Sequence, residues 1–213
     1  MRALVTGGAK RLGREISVYL ANRGYDVAVH YNSSENEALD LAKEINSQGR
    51  LSECLKCDLL IEDQVKALIP LASEALGGPI SILVNNASIF EHDSFDDATR
   101  ASWDRHMESN LRAPFVLTQV SSKQSASPIL DKKNEPISQG LVLNMIDQRV
   151  KKLTPEFASY TIAKMGLWAM TQTAARALAP SIRVNAIGPG PTLIGARQKE
   201  YHFDEQRKNT VLE

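Results

Sequence analysis

The chain has 213 residues, 43% hydrophobic and 23% charged, enough to bury one sizeable core and within the usual range of a single domain. Lysine plus arginine equals aspartate plus glutamate at 25 each, so no whole-chain field draws it to nucleic acid or an anionic membrane, and the expected partner is a small molecule. No apolar run is long enough to span a bilayer, and the opening Met1-Arg2-Ala3-Leu4-Val5-Thr6 leaves no room for a signal segment, so a cytoplasmic protein is expected.

Short β-branched runs alternate with amphipathic stretches, the pattern of βαβ units around a parallel sheet. In chain order the sequence predicts strand Ala3–Thr6, helix Arg11–Arg23, strand Asp26–His30, helix Ser34–Gln48, strand Leu51–Asp58, helix Ile61–Leu76 and strand Ile80–Asn85. Helix Thr99–Gln124, strand Gly140–Met145, helix Glu156–Ala179 and strand Ile182–Ala186 follow. Apolar residues three and four apart carry the helices, as in Ile16 and Leu20, or Leu39, Ala42 and Ile45. Ser121–Gln139, rich in Ser, Lys and Pro, reads as a helix end and surface loop. Past Gly188 the polar stretch Arg197–Asn209 reads as a mobile loop or lid. The fold class is α/β: a Rossmann-like, doubly wound parallel sheet in three αβα layers, one domain over residues 1–213.

Cys54 and Cys57 form a C-x-x-C. In an extended segment, residues three apart face opposite ways, and no second Cys/His pair completes a zinc site, so no metal is expected.

The first strand ends in Thr6-Gly7-Gly8-Ala9-Lys10-Arg11-Leu12-Gly13, and a helix follows at once. Glycines there let the backbone approach a pyrophosphate, and free amides at the helix start supply positive potential. The residue ending the second strand faces the ribose 2′ position in such a fold, and an acid there would repel a 2′-phosphate. Here His30-Tyr31-Asn32-Ser33 carries no carboxylate, which favours NADP. His30 reads either as a cofactor contact or as a satisfied strand-end histidine.

Tyr160 and Lys164 stand at i and i+4 on one face of a helix. A phenol, with a solution pKa near ~10, needs a nearby positive charge to exchange protons near neutrality, and Lys164 can supply it.

The glycine turn resembles that of the short-chain dehydrogenase/reductase family, with Arg11 in place of the middle glycine. Tyr160-Thr161-Ile162-Ala163-Lys164 resembles that family's Tyr-x-x-x-Lys, and Arg183-Val184-Asn185-Ala186-Ile187-Gly188-Pro189-Gly190 its following segment, so the motifs stand in order from Thr6 to Thr192. The resemblance implies that NADPH is held by Gly7, Arg11, Leu12 and Gly13, by His30, Tyr31, Asn32 and Ser33, and by Asp58 and Leu59. It adds Asn86, Ala87 and Ser88, then Tyr160 and Lys164, and lastly Pro189, Gly190 and Thr192. Asn110 is implied to organise a proton-relay water near the lysine.

Where the family usually has a substrate-binding serine upstream of the tyrosine, this chain has Asp147. A carboxylate donates no hydrogen bond unless protonated, so a nitrogen heterocycle suits it better than a simple carbonyl. Asp147, the Lys-Arg-Leu-Gly continuation of the turn and the His-Tyr-x-x-Ser stretch are all similar to pteridine reductases. By that likeness Arg11, Ser88, Phe90 and Asp147 bind a pterin-like substrate, Phe90 stacking the ring against the nicotinamide. Phe90 alone is equally ordinary packing. A carbonyl reductase, for instance of 3-oxoacyl thioesters, and a non-catalytic nucleotide-binding protein are the rival readings.

The resemblance further implies a homo-oligomer, tetramer or dimer, through helices Thr99–Gln124 and Glu156–Ala179. The apolar Leu167, Trp168, Met170 and Leu178 on the second suit a dimer face and core packing equally. Family members continue into a further helix and parallel strand, so a chain ending at Leu212-Glu213 is expected to be C-terminally short, with an unpaired sheet edge and part of the substrate pocket missing.

Overall fold

The computed structural model describes residues 1–124, 127–194 and 200–208, with His202 and Gln206 as backbone only. Six parallel strands form the central sheet: β1 (Arg2–Val5), β2 (Asp26–Tyr31), β3 (Ser52–Lys56), β4 (Ile82–Asn85), β7 (Gly140–Met145) and β8 (Ile182–Ile187), in spatial order β3-β2-β1-β4-β7-β8. β5 (Ile129–Leu130) and β6 (Pro136–Ile137) form a separate antiparallel hairpin. Helices α1 (Arg11–Asn22) and α2 (Glu35–Ser47) cover one face, while α3 (Glu62–Ala75), α5 (Ala113–Gln124) and α6 (Ala158–Leu178) cover the other. The three-layer α/β expectation holds.

Helices on both faces explain why the strands read as apolar runs rather than alternating ones. Leu4, Ala28, Leu83, Val142 and Val184 point to the α3/α5 side, where Val65, Leu68, Ile69, Val116 and Leu117 meet them. Their neighbours Ala3, Val5, Val27, Val29 and Val84 point to the α1/α2 side, against Leu20, Leu41 and Ile45. Each fully buried Val, Leu or Ile contributes about 1.5–3 kcal/mol. Cys54 and Cys57 follow the same alternation, packing into opposite clusters, and burial pushes both thiols up to about 11, unlike a reactive pair.

Two expectations need correction and one refinement. Thr99–Gln124 is helical throughout, as expected, but not α-helical throughout: α4 (Arg100–Met107) starts on a Thr99/Ser102 capping box and passes through a π-helical turn, Glu108–Arg112, into α5. Pro114 has no amide for the carbonyl four residues back, at Asn110, and the Ala113 amide reaches back to Glu108 instead. Ser121–Gln139 carries the expected helix end, that of α5, but the surface stretch after it includes the β5–β6 hairpin. Where a mobile loop was expected, residues 200–208 form a helix, α7 (Glu200–Lys208); the rest of that stretch lies outside the described residues. Among the described residues no helix is long and apolar enough to cross a membrane.

Candidate active site

Strand order reverses between β1 and β4, and at such a reversal the carboxyl ends of the strands open a crevice. Val5 lies in register with Val84, so the turns after β1 and β4 leave the sheet side by side. The Thr6 hydroxyl ties them together. It donates to the Val84 carbonyl at 3.2 Å and accepts from the amides of Asn86 at 2.9 Å and Ala87 at 3.0 Å. The Asn86 amide group donates to the carbonyls of Thr6 at 2.9 Å and Gly7 at 3.1 Å.

The glycines of this turn have no room for side chains. Gly7 has φ +59°, and a Cβ on Gly13 would lie 2.0 Å from the Gly7 carbonyl oxygen and 2.6 Å from Asn86 Nδ2. A close-approach backbone facing the first turn of a helix is a cradle that fits a diphosphate, so these residues can hold a dinucleotide. Arg11 has φ +52°, a conformation glycine adopts freely and other L-residues only at about 1–2 kcal/mol, which accounts for glycine at this place in the resembling family. Its Nη2 donates to the Leu193 carbonyl at 2.9 Å, joining the turn to the segment after β8. Leu12 is half-buried beside it.

At the end of β2 the structure decides against His30 as a side-chain contact. The ring is 2% exposed; Nδ1 accepts from the Gly7 amide at 2.9 Å and Nε2 lies 3.0 Å from the Cys57 carbonyl. Both nitrogens are used inside the protein, and burial lowers its pKa, so it is the satisfied strand-end histidine. Tyr31 is buried too, its phenol donating to Glu35 at 3.1 Å. Asn32 and Ser33 are exposed at the cleft. Lys10, in the glycine turn, pairs with Glu37 on the first turn of α2. Asp58 accepts from the Leu60 amide at 3.0 Å. The side chain of Leu59 belongs to the core, which leaves only its backbone for a ligand.

Tyr160 and Lys164 lie on the buried side of α6, 5% and 2% exposed. The Tyr160 hydroxyl donates to Asp147 Oδ2 at 2.8 Å, and Asp147 Oδ1 accepts from the Arg149 amide at 2.8 Å, capping the short 3-10 turn Gln148–Val150. Lys164 Nζ donates to the Met145 carbonyl at 2.8 Å and sits 5.7 Å from the Tyr160 ring centroid. Burial and then the Asp147 charge push the tyrosine upward, only partly opposed by the Ser88 hydrogen bond and Arg149, so Tyr160 stands protonated. Burial brings Lys164 down to about 8, with Asp147 offsetting part of the drop.

Asn110 lies in the π-helical turn, and both polar atoms of its side chain are spent on Ile89, accepting from its amide at 2.9 Å and donating to its carbonyl at 2.8 Å. Its backbone carbonyl has lost its α-helical donor to Pro114. Phe90 stacks on Phe157, centroids 4.3 Å apart, and meets Tyr160 edge-on at 4.7 Å. The Arg149 guanidinium lies 4.8 Å above the Phe157 ring. Phe157 and Arg149 escaped the sequence reading because no motif marks them. Pro189, Gly190 and Thr192 lie beside this centre: a Cβ on Gly190 would stand 3.5 Å from Gln148 Oε1, and Thr192 donates to the Gly190 carbonyl at 3.1 Å.

A family profile described as short chain dehydrogenase matches residues 1–205. The chain belongs to the short-chain dehydrogenase family. A 3-oxoacyl-[acyl-carrier-protein] reductase of Staphylococcus epidermidis is 32% identical over 189 residues, 88% of this chain and 73% of that protein. The alternative dihydrofolate reductase FolM from Brucella canis, crystallised with NADP, superposes with a TM-score of 0.89 at 44% identity, covering 99% of this chain and 80% of its own. A short chain dehydrogenase from Burkholderia cenocepacia, also with NADP, gives 0.87 at 30% identity, covering 99% and 82%.

Proposed function

We propose that this short-chain dehydrogenase reduces a C=N bond of a pterin-like heterocycle with NADPH, Tyr160 donating the proton. The observation that carries the reading is the Tyr160–Asp147 hydrogen bond at 2.8 Å. It puts a carboxylate beside the donor, able to accept from ring or exocyclic N–H groups of a heterocycle, where a carbonyl would call for a hydroxyl.

The cradle of Gly7 and Gly13, the exposed Asn32 and Ser33, and the Lys10 ammonium would hold the cofactor, with Asn86, Ala87 and Ser88 along its length. NADPH, when bound, supplies the hydride. Tyr160, kept protonated by burial and Asp147, is a loaded general acid rather than a base. Lys164 is an ammonium at neutral pH and would hold the nicotinamide ribose. Phe90, at 47% exposed, offers a ring face for stacking. The exposed Trp103, Phe115 and Ile162 on α4, α5 and α6 fit the proposal that copies associate through these helices.

NADPH oxidation assayed side by side with dihydrobiopterin, dihydrofolate and acetoacetyl thioester tests the reading. The pterins should turn over at least ~10-fold faster per molar substrate, and Tyr160→Phe should cost ~10²-fold or more in rate while NADPH still binds. Preferential reduction of the thioester would instead establish a carbonyl reductase, the activity carried by the staphylococcal relative's name.

A further inference from the structure

Residues 88–93, between β4 and α4, alternate in what they touch. On one side Ser88 acts on the Tyr160 phenol, easing its pKa downward, Phe90 stacks on Phe157, and His92 meets Phe157 edge-on at 5.2 Å. On the other side the segment is fastened at each intervening residue. Asn110 holds both backbone groups of Ile89. Arg105 grips the Glu91 carboxylate at 3.1 and 2.9 Å, and the Glu91 amide donates to His106 Nε2 at 3.1 Å. Asp93 accepts from the Ser159 amide at 3.1 Å and from the Ser159 hydroxyl.

Ser159 immediately precedes Tyr160, and its hydroxyl also lies 2.7 Å from His106 Nδ1. These contacts fix every proton. An amide can only donate, so His106 Nε2 carries the lone pair and Nδ1 the proton, which goes to Ser159 Oγ; the serine's own proton goes to Asp93. His106, Ser159 and Asp93 are 0%, 1% and 2% exposed, so leaving one link unmade would cost about 1–3 kcal/mol. Burial also holds His106 below its ordinary pKa against the pull of Asp93 and Glu91, which keeps it neutral. Although serine, histidine and aspartate meet here, the hydroxyl is buried and hydrogen-bonded to the carboxylate, so it is no nucleophile. Beside it Phe157 sits at φ +58°, a strained conformation that persists only where its surroundings enforce it, and that starts α6 with its ring on Phe90.

We propose that the Glu91–His106–Ser159–Asp93 chain is a positioning device that locks the Phe90–Phe157 platform to Tyr160 and so sets the placement of a planar substrate against the proton donor. The inference rests on the reading that Tyr160 protonates such a substrate. His106→Ala breaks the chain at its centre. His106→Gln keeps an acceptor for the Glu91 amide and a donor for Ser159, and Ser159→Ala removes the same link at one oxygen. Both alanine variants should lose about 30- to 100-fold in kcat/KM for dihydropterin with NADPH affinity unchanged, while His106→Gln recovers to within about fivefold of the parent. Nitrogen-15 spectra of the substrate-free protein at pH 7, assigned by the signals lost in His106→Gln, should show a neutral His106 protonated on Nδ1. An Nε2–H or doubly protonated ring, full turnover in both alanine variants, or NADPH affinity falling in parallel with turnover would overturn the proposal. If the parent reduces the thioester but no dihydropterin, the substrate reading fails alone; the tautomer and the Ala/Gln contrast, read on the thioester, still decide the positioning device.

Discussion

Replacing Lys164 by methionine should give a protein that is inactive yet more stable at neutral pH. The ammonium is 2% exposed, and burial drops its pKa from 10.5 to about 8. At about 1.4 kcal/mol per unit, keeping that charge in the folded state costs about 3 kcal/mol below pH 8. Methionine removes this cost but strands the Met145 carbonyl that Nζ now serves, a loss of about 1 kcal/mol, leaving a net gain of about 2 kcal/mol at pH 7. The sign of the pH dependence follows from proton counting. Between pH 8 and 10.5 the unfolded chain holds a lysine proton that the folded protein has released, so the parent gains stability as pH rises through that window. The variant has no such group, so its advantage should shrink to near zero by pH 10. Urea titrations of NADPH-free protein at pH 7 and pH 10, with equal m-values, measure this directly. Destabilisation at pH 7, or an advantage that does not change with pH, would refute the placement of a charged Lys164 in the interior.

Gly13→Ala would drive a methyl to within 2.0 Å of the Gly7 carbonyl oxygen; thermal melts should show a loss of about 3 kcal/mol or more, and NADPH fluorescence should show no binding. A near-normal melt would mean that the turn yields. Arg11→Gly releases a backbone held at φ +52° and deletes the bond to Leu193. Stability should change by no more than about 1 kcal/mol, with hydrogen exchange faster at Thr192–Ile194; unchanged exchange would show that the arginine does not restrain that segment. Asp147→Ser exchanges the carboxylate that takes the Tyr160 proton for a shorter, neutral hydroxyl, so dihydropterin turnover should fall ~10²-fold and the ratio of thioester to pterin activity should rise. A constant ratio would take Asp147 out of substrate selection.

The sheet was legible because parallel strands buried on both faces appear as uninterrupted apolar runs, and because Gly7 and Gly13 follow the first of them. Tyr160, Lys164 and Asp147 could be placed on one side of the last helix and at the end of the strand before it, and the structure brings them together. Properties that depend on three-dimensional neighbours were not legible. The phenol's protonation follows from burial and Asp147 outweighing Ser88 and Arg149, a balance that no spacing rule contains. His30 stayed open between ligand contact and satisfied histidine because the sequence cannot show that the Gly7 amide and the Cys57 carbonyl already take both ring nitrogens. Pro114, inside the predicted helix, signals a lost helical hydrogen bond, but the sequence does not show that the chain answers with a π turn at Glu108–Arg112 and stays helical on both sides. His106, Ser159 and Asp93 are far apart in sequence and individually unremarked.

Thr6 is a small residue with a wide effect. Its hydroxyl and the Asn86 side chain fix the spacing of the two turns from within the sheet, before any ligand arrives. A cleft shaped in advance removes the conformational search from association. Differences in affinity among dinucleotide analogues then fall on how fast each one leaves rather than how fast it enters, and selectivity at this site becomes a matter of residence time.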